Sequence, residues 1–263
     1  MGRGTRIGHR RIPADSVDRM VDDEVPRRVS AIRTGSAVVS DGRAHGRAHG
    51  RVGLVVTGAA SLVVATAIGL VVMVGLGGEN VVDEAWLTLM AGMREHAAWF
   101  MPIALALNRI GGGWTAAVVV PPLVIAVLLL RRRHWGALLF AVATILGALL
   151  VQVAKHAFAR ERPPDMIVTS DAGSFPSGHV ANATVMALVL ALLLARWWAW
   201  VLASLYVLTM LLSRTYLDVH WLSDTIGGAA LAVGVVLLLA ATGLHHRDDV
   251  AAKRPGDADA ERT

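Results

Sequence analysis

SRTYLDVHWLSD, residues 213–224, brings an arginine, a histidine, two serines and two carboxylates into twelve positions between long apolar runs. Ionisable groups set between such runs are costly, and sequences that keep them generally use them. His220 and Asp224 lie four apart, so on a helix they share one face, with Cβ atoms about 5–6 Å apart. A carboxylate there accepts the proton on one imidazole nitrogen and leaves a lone pair on the other, which makes an oriented nucleophile or base. Arg214, six residues before His220, is a permanently charged fork suited to a phosphate or carboxylate. The pattern points to a histidine acting on an oxyanion.

The apolar flanks of that stretch are repeated along the chain. Its 263 residues are 55% hydrophobic and 17% charged, with a mean hydropathy of +0.55. The apolar residues come in blocks near the roughly 20 needed to cross a bilayer, so the chain reads as an all-α, polytopic membrane bundle. The absence of cysteine excludes disulfides, cysteine-ligated zinc and thiol nucleophiles. The net charge is +5, but eleven arginines sit in the first 51 residues and the remainder is near neutral. That distribution fits a topogenic or lipid-headgroup role and argues against nucleic acid as a partner.

Residues 1–51 lack apolar periodicity, include the tandem RAHGRAHG at 43–50, and read as a disordered basic tail. Six spans are expected within 52–243: Leu54–Leu76, Trp114–Leu130, Trp135–Ala154, Val180–Ala195, Val201–Leu212 and Thr225–Thr242. Ala97–Leu107 is too short to cross and suits the interface, with Trp86 and Trp99 at headgroup level. Gly111–Gly113 break the chain before the second span. Residues 244–263 read as a second disordered tail. With a cytoplasmic N-terminus, the Arg131–Arg133 triplet, Arg196 and the C-terminal tail also fall inside, as the positive-inside rule requires. Lys155, Arg160, Arg162 and Arg214 then lie on the opposite face, where basic residues are disfavoured. A bound anion supplies the reason.

Three short segments meet on that face. KHAFARERP puts Lys155 and Arg162 seven apart, about two turns along one side of a helix that Pro163 and Pro164 end. FPSGH at 175–179 looks like a helix entry, with Ser177 as N-cap. The free N–H groups of its first turn, with Gly178 permitting close approach, form an oxyanion cradle beside His179. The opening stretch is the third. Phosphoryl transfer needs this inventory of fixed cations around the equatorial oxygens, an in-line nucleophile and an acid. No Asp/Glu cluster offers to hold two metal ions, so metal-independent chemistry without a cofactor is expected.

K-x-x-x-x-x-x-R-P (Lys155 to Pro163), P-S-G-H (Pro176 to His179) and S-R-x-x-x-x-x-H-x-x-x-D (Ser213 to Asp224) resemble the three signature motifs of the type 2 phosphatidic acid phosphatase superfamily. They are complete and in order, and the resemblance covers roughly residues 54–243. It implies that His220 forms a phosphohistidine, that Asp224 orients it, and that His179 protonates the leaving oxygen and later activates water. Lys155, Arg162, Ser177, Gly178 and Arg214 would hold the phosphoryl group. It also implies a six-helix core in the cell membrane with the site on the extracytoplasmic face and both termini cytoplasmic. Two positions depart from what is frequent in the family: Asp218 where glycine is common and Leu222 where proline is common. An extra carboxylate two residues before the nucleophile bears on the choice of headgroup.

The leading expectation is a membrane lipid phosphatase acting on polyprenyl diphosphate, phosphatidylglycerol phosphate or phosphatidic acid. A lipid phosphotransferase using the same site is the alternative. A transporter or scaffold is disfavoured, because transporters place polar groups near the midplane and these motifs sit at one face. Asn108 and Arg109 are candidates for the site mouth. His156, Arg160 and Glu161 are read as solvated or paired with neighbours, and the tryptophans as headgroup anchors.

Overall fold

A computed structural model describes residues 50–74, 80–112, 115–170 and 173–248; most of both expected tails lies outside the described residues. Every regular element described is helical. Helix α1 spans Gly50–Met73. Helix α2, Val81–His96, opens on Asn80, whose side chain accepts from the Val82 N–H at 3.1 Å, and carries Asp83 and Glu84 in its first turn and Arg94 and His96 in its last. Each placement suits the helix dipole. A 3₁₀ turn, Ala98–Phe100, leads into α3, Met101–Ile110. Helices α4 (Val120–Leu130), α5 (His134–Phe158), α6 (Gly178–Leu194), α7 (Trp197–Tyr216) and α8 (Leu222–Ala240) follow.

The all-helical membrane bundle agrees with the sequence reading, but its spans differ in length. Among the described residues, four helices are long and apolar enough to cross a bilayer: α1, α5, α7 and α8, with 24, 25, 20 and 19 residues. Of the span expected over Trp114–Leu130, residues 115–130 form a π-helical turn at Thr115–Val119 followed by the 11-residue α4. Pro121 and Pro122 cannot donate to the preceding turn, so an uninterrupted α-helix cannot pass through them; they are tolerated only in the opening turn of α4. Helix α6, with 17 residues, is also short for a span.

Helix α6 packs against α5, α7 and α8. The main core joins Leu139, Phe140 and Ala143 of α5 to Val185 and Val189 of α6 and to Ala232, Val235 and Val236 of α8. Helix α1 reaches α8 where Gly58 and Gly234 bring the two backbones together, since a Cβ at Gly58 would stand 3.2 Å from the Gly234 carbonyl oxygen. Small residues permit such an approach between apolar helices. A second cluster of Met90, Phe100, Ala104, Tyr216, Leu217 and Val219 packs α2 and α3 over the link between α7 and α8.

Because α5 to α8 alternate in direction, the end of α5, the start of α6, the end of α7 and the start of α8 share one end of the bundle. The Arg131–Arg133 turn and Arg196 occupy the other. There, Asp248 accepts from the Trp135 and Gly136 N–H groups at 3.0 and 2.8 Å, and Arg247 lies 4.7 Å from the Trp135 ring centre. Residues 244–248, assigned to the tail on sequence, are therefore structured and cap α5 from more than a hundred residues away.

Candidate active site

The first motif is built differently from its sequence reading. Helix α5 ends at Phe158, and Ala159 takes a left-handed φ of 41°. Arg162 is therefore not two turns along the same helix as Lys155; it lies beyond the helix end and reaches the same place from an extended segment. Lys155 Nζ donates to the Gly173 carbonyl at 2.7 Å and Arg162 Nη2 to the same oxygen at 3.1 Å. Arg162 Nη1 donates to the Val219 carbonyl at 2.5 Å and lies 3.3 Å from His220 Nε2.

In the second motif α6 begins at Gly178, with Ser177 at the N-cap position as expected. The Ser177 side chain makes no capping bond, and its buried hydroxyl has no hydrogen-bond partner among the described residues. Its backbone N–H donates to the Asp224 carbonyl at 3.0 Å. Gly228 permits this docking: a Cβ there would lie 2.6 Å from the Ser177 carbonyl oxygen.

In the third motif, Arg214 is wholly buried and donates to Asn108 Oδ1 at 2.6 Å. His220 is not on a helix, because α8 starts at Leu222. The pairing expected from a shared helical face still forms, for another reason. Asp224 sits in the first turn of α8 and reaches back, accepting from the Trp221 N–H at 2.9 Å and lying 3.4 Å from His220 Nδ1. An acceptor on Nδ1 leaves the proton there and turns the Nε2 lone pair toward Arg162. Burial, with Arg214 and Arg162 adding to it and Asp224 opposing, lowers the His220 pKa to about 4. Its imidazole is thus neutral near pH 7.

Two partners of Asp224 escaped the sequence reading. Arg160 donates to Asp224 Oδ1 at 2.7 Å, and Ser174 donates to Oδ2. Arg160 also bonds Asp83 Oδ2 at 2.8 Å and Ser223 Oγ at 2.6 Å. Arg160 is therefore a partner of the site carboxylate and not a solvated filler. Asp83 lies 141 positions before Asp224, and no local pattern connects them. Asn108, flagged as a mouth residue, also accepts from His179 Nε2 through its carbonyl at 3.1 Å.

Lys155, Gly178, His179 and His220 share the wall of one cavity of about 870 Å³ with Asn108 and Arg109. Arg162, Ser177, Arg214 and Asp224 are outside its lining, adjacent to those residues. The cavity continues past Gln152 and Gly147 to Thr144 and, on α6, to Val185. Lys155 to Thr144 is eleven residues, roughly 16 Å along α5. The site thus opens from a polar end into the apolar depth of the bundle. Asp218 does not face it: the carboxylate is held by Arg94 at 2.6 Å on the α2 side. Its φ of 52° is a conformation that glycine, then Asp or Asn, adopts most readily.

Residues 136–248 match the family model described as the PAP2 superfamily. Over this segment, less than half of its length, the chain is similar to that superfamily. A curated relative, phosphatidylglycerophosphatase B of Bacillus subtilis (strain 168), is 30% identical over 115 residues, or 40% of this chain. The chain spans 57% of that relative's length. The crystal structure of the first transmembrane PAP2 type phosphatidylglycerolphosphate phosphatase from Bacillus subtilis is similar, with a TM-score of 0.58 at 25% identity over 74% of this chain and 98% of that one. Aquifex aeolicus LpxE shares the fold, with a TM-score of 0.52 at 22% identity over 64% of this chain and 98% of that one.

Gly112, in the glycine break before the second expected span, lies against the candidate site. A Cβ at Gly112 would fall on the His179 imidazole. Gly112→Ala is expected to push that ring off the Asn108 carbonyl, read as shifted ring ¹H–¹⁵N correlations of His179 with helical content unchanged. Unaltered correlations would show that the ring does not depend on this close approach.

Proposed function

We propose that the chain is an integral-membrane phosphatase that hydrolyses a lipid phosphomonoester or diphosphate through a phosphohistidine on His220. The observation that carries this reading is the setting of His220. Its Nδ1 is committed to Asp224, its Nε2 lies beside Arg162, and its ring lines a cavity that continues into the bundle. Nε2 attacks phosphorus, the bond from phosphorus to the lipid oxygen breaks, and His179 supplies the proton to that leaving oxygen. Water then attacks the phosphohistidine, giving its proton to His179, and inorganic phosphate leaves with His220 restored. Lys155, Arg162 and Arg214 offset the charge on the equatorial oxygens, and the Ser177 hydroxyl and the N–H groups at Gly178 add donors.

The lipid tail fits the apolar continuation of the cavity while the phosphate occupies its polar end. The names of the two Bacillus subtilis relatives make phosphatidylglycerol phosphate the first substrate to test. The reading is metal-independent: among the described residues no three His, Asp or Glu side chains gather as a metal site. Orientation is part of the same proposal. Arg131–Arg133 and Arg196 at the end opposite the site favour a cell-membrane protein with an extracytoplasmic site and cytoplasmic termini.

Purified protein in detergent is expected to release phosphate from phosphatidylglycerol phosphate in the presence of a strong chelator. His220→Ala should lower kcat by about 10³-fold or more. A chelator-sensitive activity restored by a divalent ion would overturn the metal-free chemistry, and an active His220→Ala the covalent step. Since the nucleophile must be unprotonated, kcat/KM should fall with decreasing pH through about 4, well below the roughly 6.5 of an ordinary histidine. In the cysteine-free background, Asp165→Cys in intact cells should react with an impermeant maleimide and Arg131→Cys should not. The reverse pattern would place the site in the cytoplasm.

A further inference from the structure

The α2 helix lies outside all three motifs, yet both of its ends hold the nucleophile loop. At its start, buried Asp83 accepts from the Ser223 N–H at 2.9 Å and from Ser223 Oγ at 2.6 Å. It therefore satisfies one of the free N–H groups in the first turn of α8 from another helix. Asp83 also pairs with Arg160 at 2.8 Å, and Arg160 passes the contact on to Asp224 Oδ1. At its other end, Arg94 donates to the Tyr216 carbonyl at 2.9 Å and pairs with Asp218 at 2.6 Å. Just beyond, the Tyr216 hydroxyl donates to the Ala97 carbonyl at 3.2 Å. Asp83 and Arg94 are eleven residues apart, about three turns, and so share one face of α2. Met90 is buried on that face between them.

We propose that α2 clamps the nucleophile loop, with Asp83 and Arg94 as positioning residues that fix His220 and Asp224 in line with the phosphate. The proposal rests on His220 being the nucleophile. His220 sits between the two gripped points, Tyr216–Asp218 and Ser223. Its Nδ1 lies 3.4 Å from Asp224 Oδ2, at the long limit of a hydrogen bond. A shift of about half an ångström decides whether the imidazole is oriented, which is the tolerance a reacting group allows. Arg160, shared between Asp83 and Asp224, acts on that geometry: without Asp83 its Nη2 loses the carboxylate that draws it away from Asp224. The Asp218 carboxylate acts in the same way, as the anchor Arg94 grips and not as a headgroup contact.

The test uses the full chain in detergent and two probes. Orthovanadate forms a bond to a reactive imidazole and reports the nucleophile's position, whereas inorganic phosphate reports only the cationic cradle. Asp83→Asn is expected to weaken vanadate about tenfold or more and to lower kcat by a similar factor, with KM and the phosphate affinity within about twofold of wild type. Asp83→Glu, which keeps the charge, should recover part of the vanadate affinity. Vanadate affinity and kcat within about twofold of wild type in Asp83→Asn would overturn the clamp. So would loss of vanadate, phosphate and thermal stability together, which marks a purely structural role. Should Asp83→Asn not fold, Arg94→Gln at the more exposed end gives the same split on a smaller scale. His220→Ala separates the two proposals. Vanadate binding that survives it removes the nucleophile and with it anything to position, while binding that needs His220 and ignores both α2 variants sinks the clamp alone.

Discussion

Asp224 is a carboxylate with no solvent access at the start of a membrane helix, and the structure around it is arranged to keep that charge satisfied. Arg160 and Ser174 donate to its two oxygens, the Trp221 N–H joins Ser174 on Oδ2, and His220 approaches the same oxygen. Taking a carboxylate out of water costs several kcal/mol, and breaking such a buried pair typically costs about 3–5 kcal/mol. The charge therefore persists only while segments distant in sequence stay in place together. The link after α5 brings Arg160 and Ser174, the start of α8 brings Asp224, and α2 brings Asp83 to hold Arg160. Orientation of His220 follows from that constraint.

The membrane bundle makes the convergence possible. Antiparallel packing puts alternate helix ends on one face, so Lys155, Gly178, Arg214 and Asp224 are neighbours despite lying up to 69 residues apart. The interruptions fall beside the site. The π-helical turn borders the cavity at Thr115 and Ala116, and Gly112 gives room for His179. A continuous helix there would present its own side chains to the space that the imidazole takes. Irregular backbone at membrane depth is tolerated where protein or a cavity surrounds it. The same cavity joins a cationic end to an apolar interior, and that shape suits an amphipathic phosphate ester better than a free one.

Much of this was legible before any coordinates. Three motifs, each with its own chemistry, named Lys155, Arg162, Ser177, Gly178, His179, Arg214, His220 and Asp224, and the structure gathers all eight at one end of the bundle. The reasons given for two of the pairings were nevertheless wrong. Lys155 and Arg162 converge on the Gly173 carbonyl because the chain leaves α5 early and folds back, not because they share a helix. His220 and Asp224 pair across a helix start, not along a helix. Spacing constrained which groups could meet, but several backbone paths satisfy the same spacing.

Sequence alone determined the class of fold and the chemical inventory, because bilayer thickness fixes how long an apolar run must be and because residue types carry their chemistry wherever they sit. It could not determine which charges pair. Arg160 looked like one more cation in a loop, Asp83 an acidic residue in a helix's first turn, and Asp218 a possible hazard to an anionic headgroup. Only the tertiary structure links the first two to Asp224, Asp83 through Arg160, and turns the third toward Arg94. The physical reason is that ion pairs are short-ranged and indifferent to sequence separation. Their partners are chosen by helix packing, which brings Asp83 and Ser223 together across 140 positions, and no local pattern records that choice.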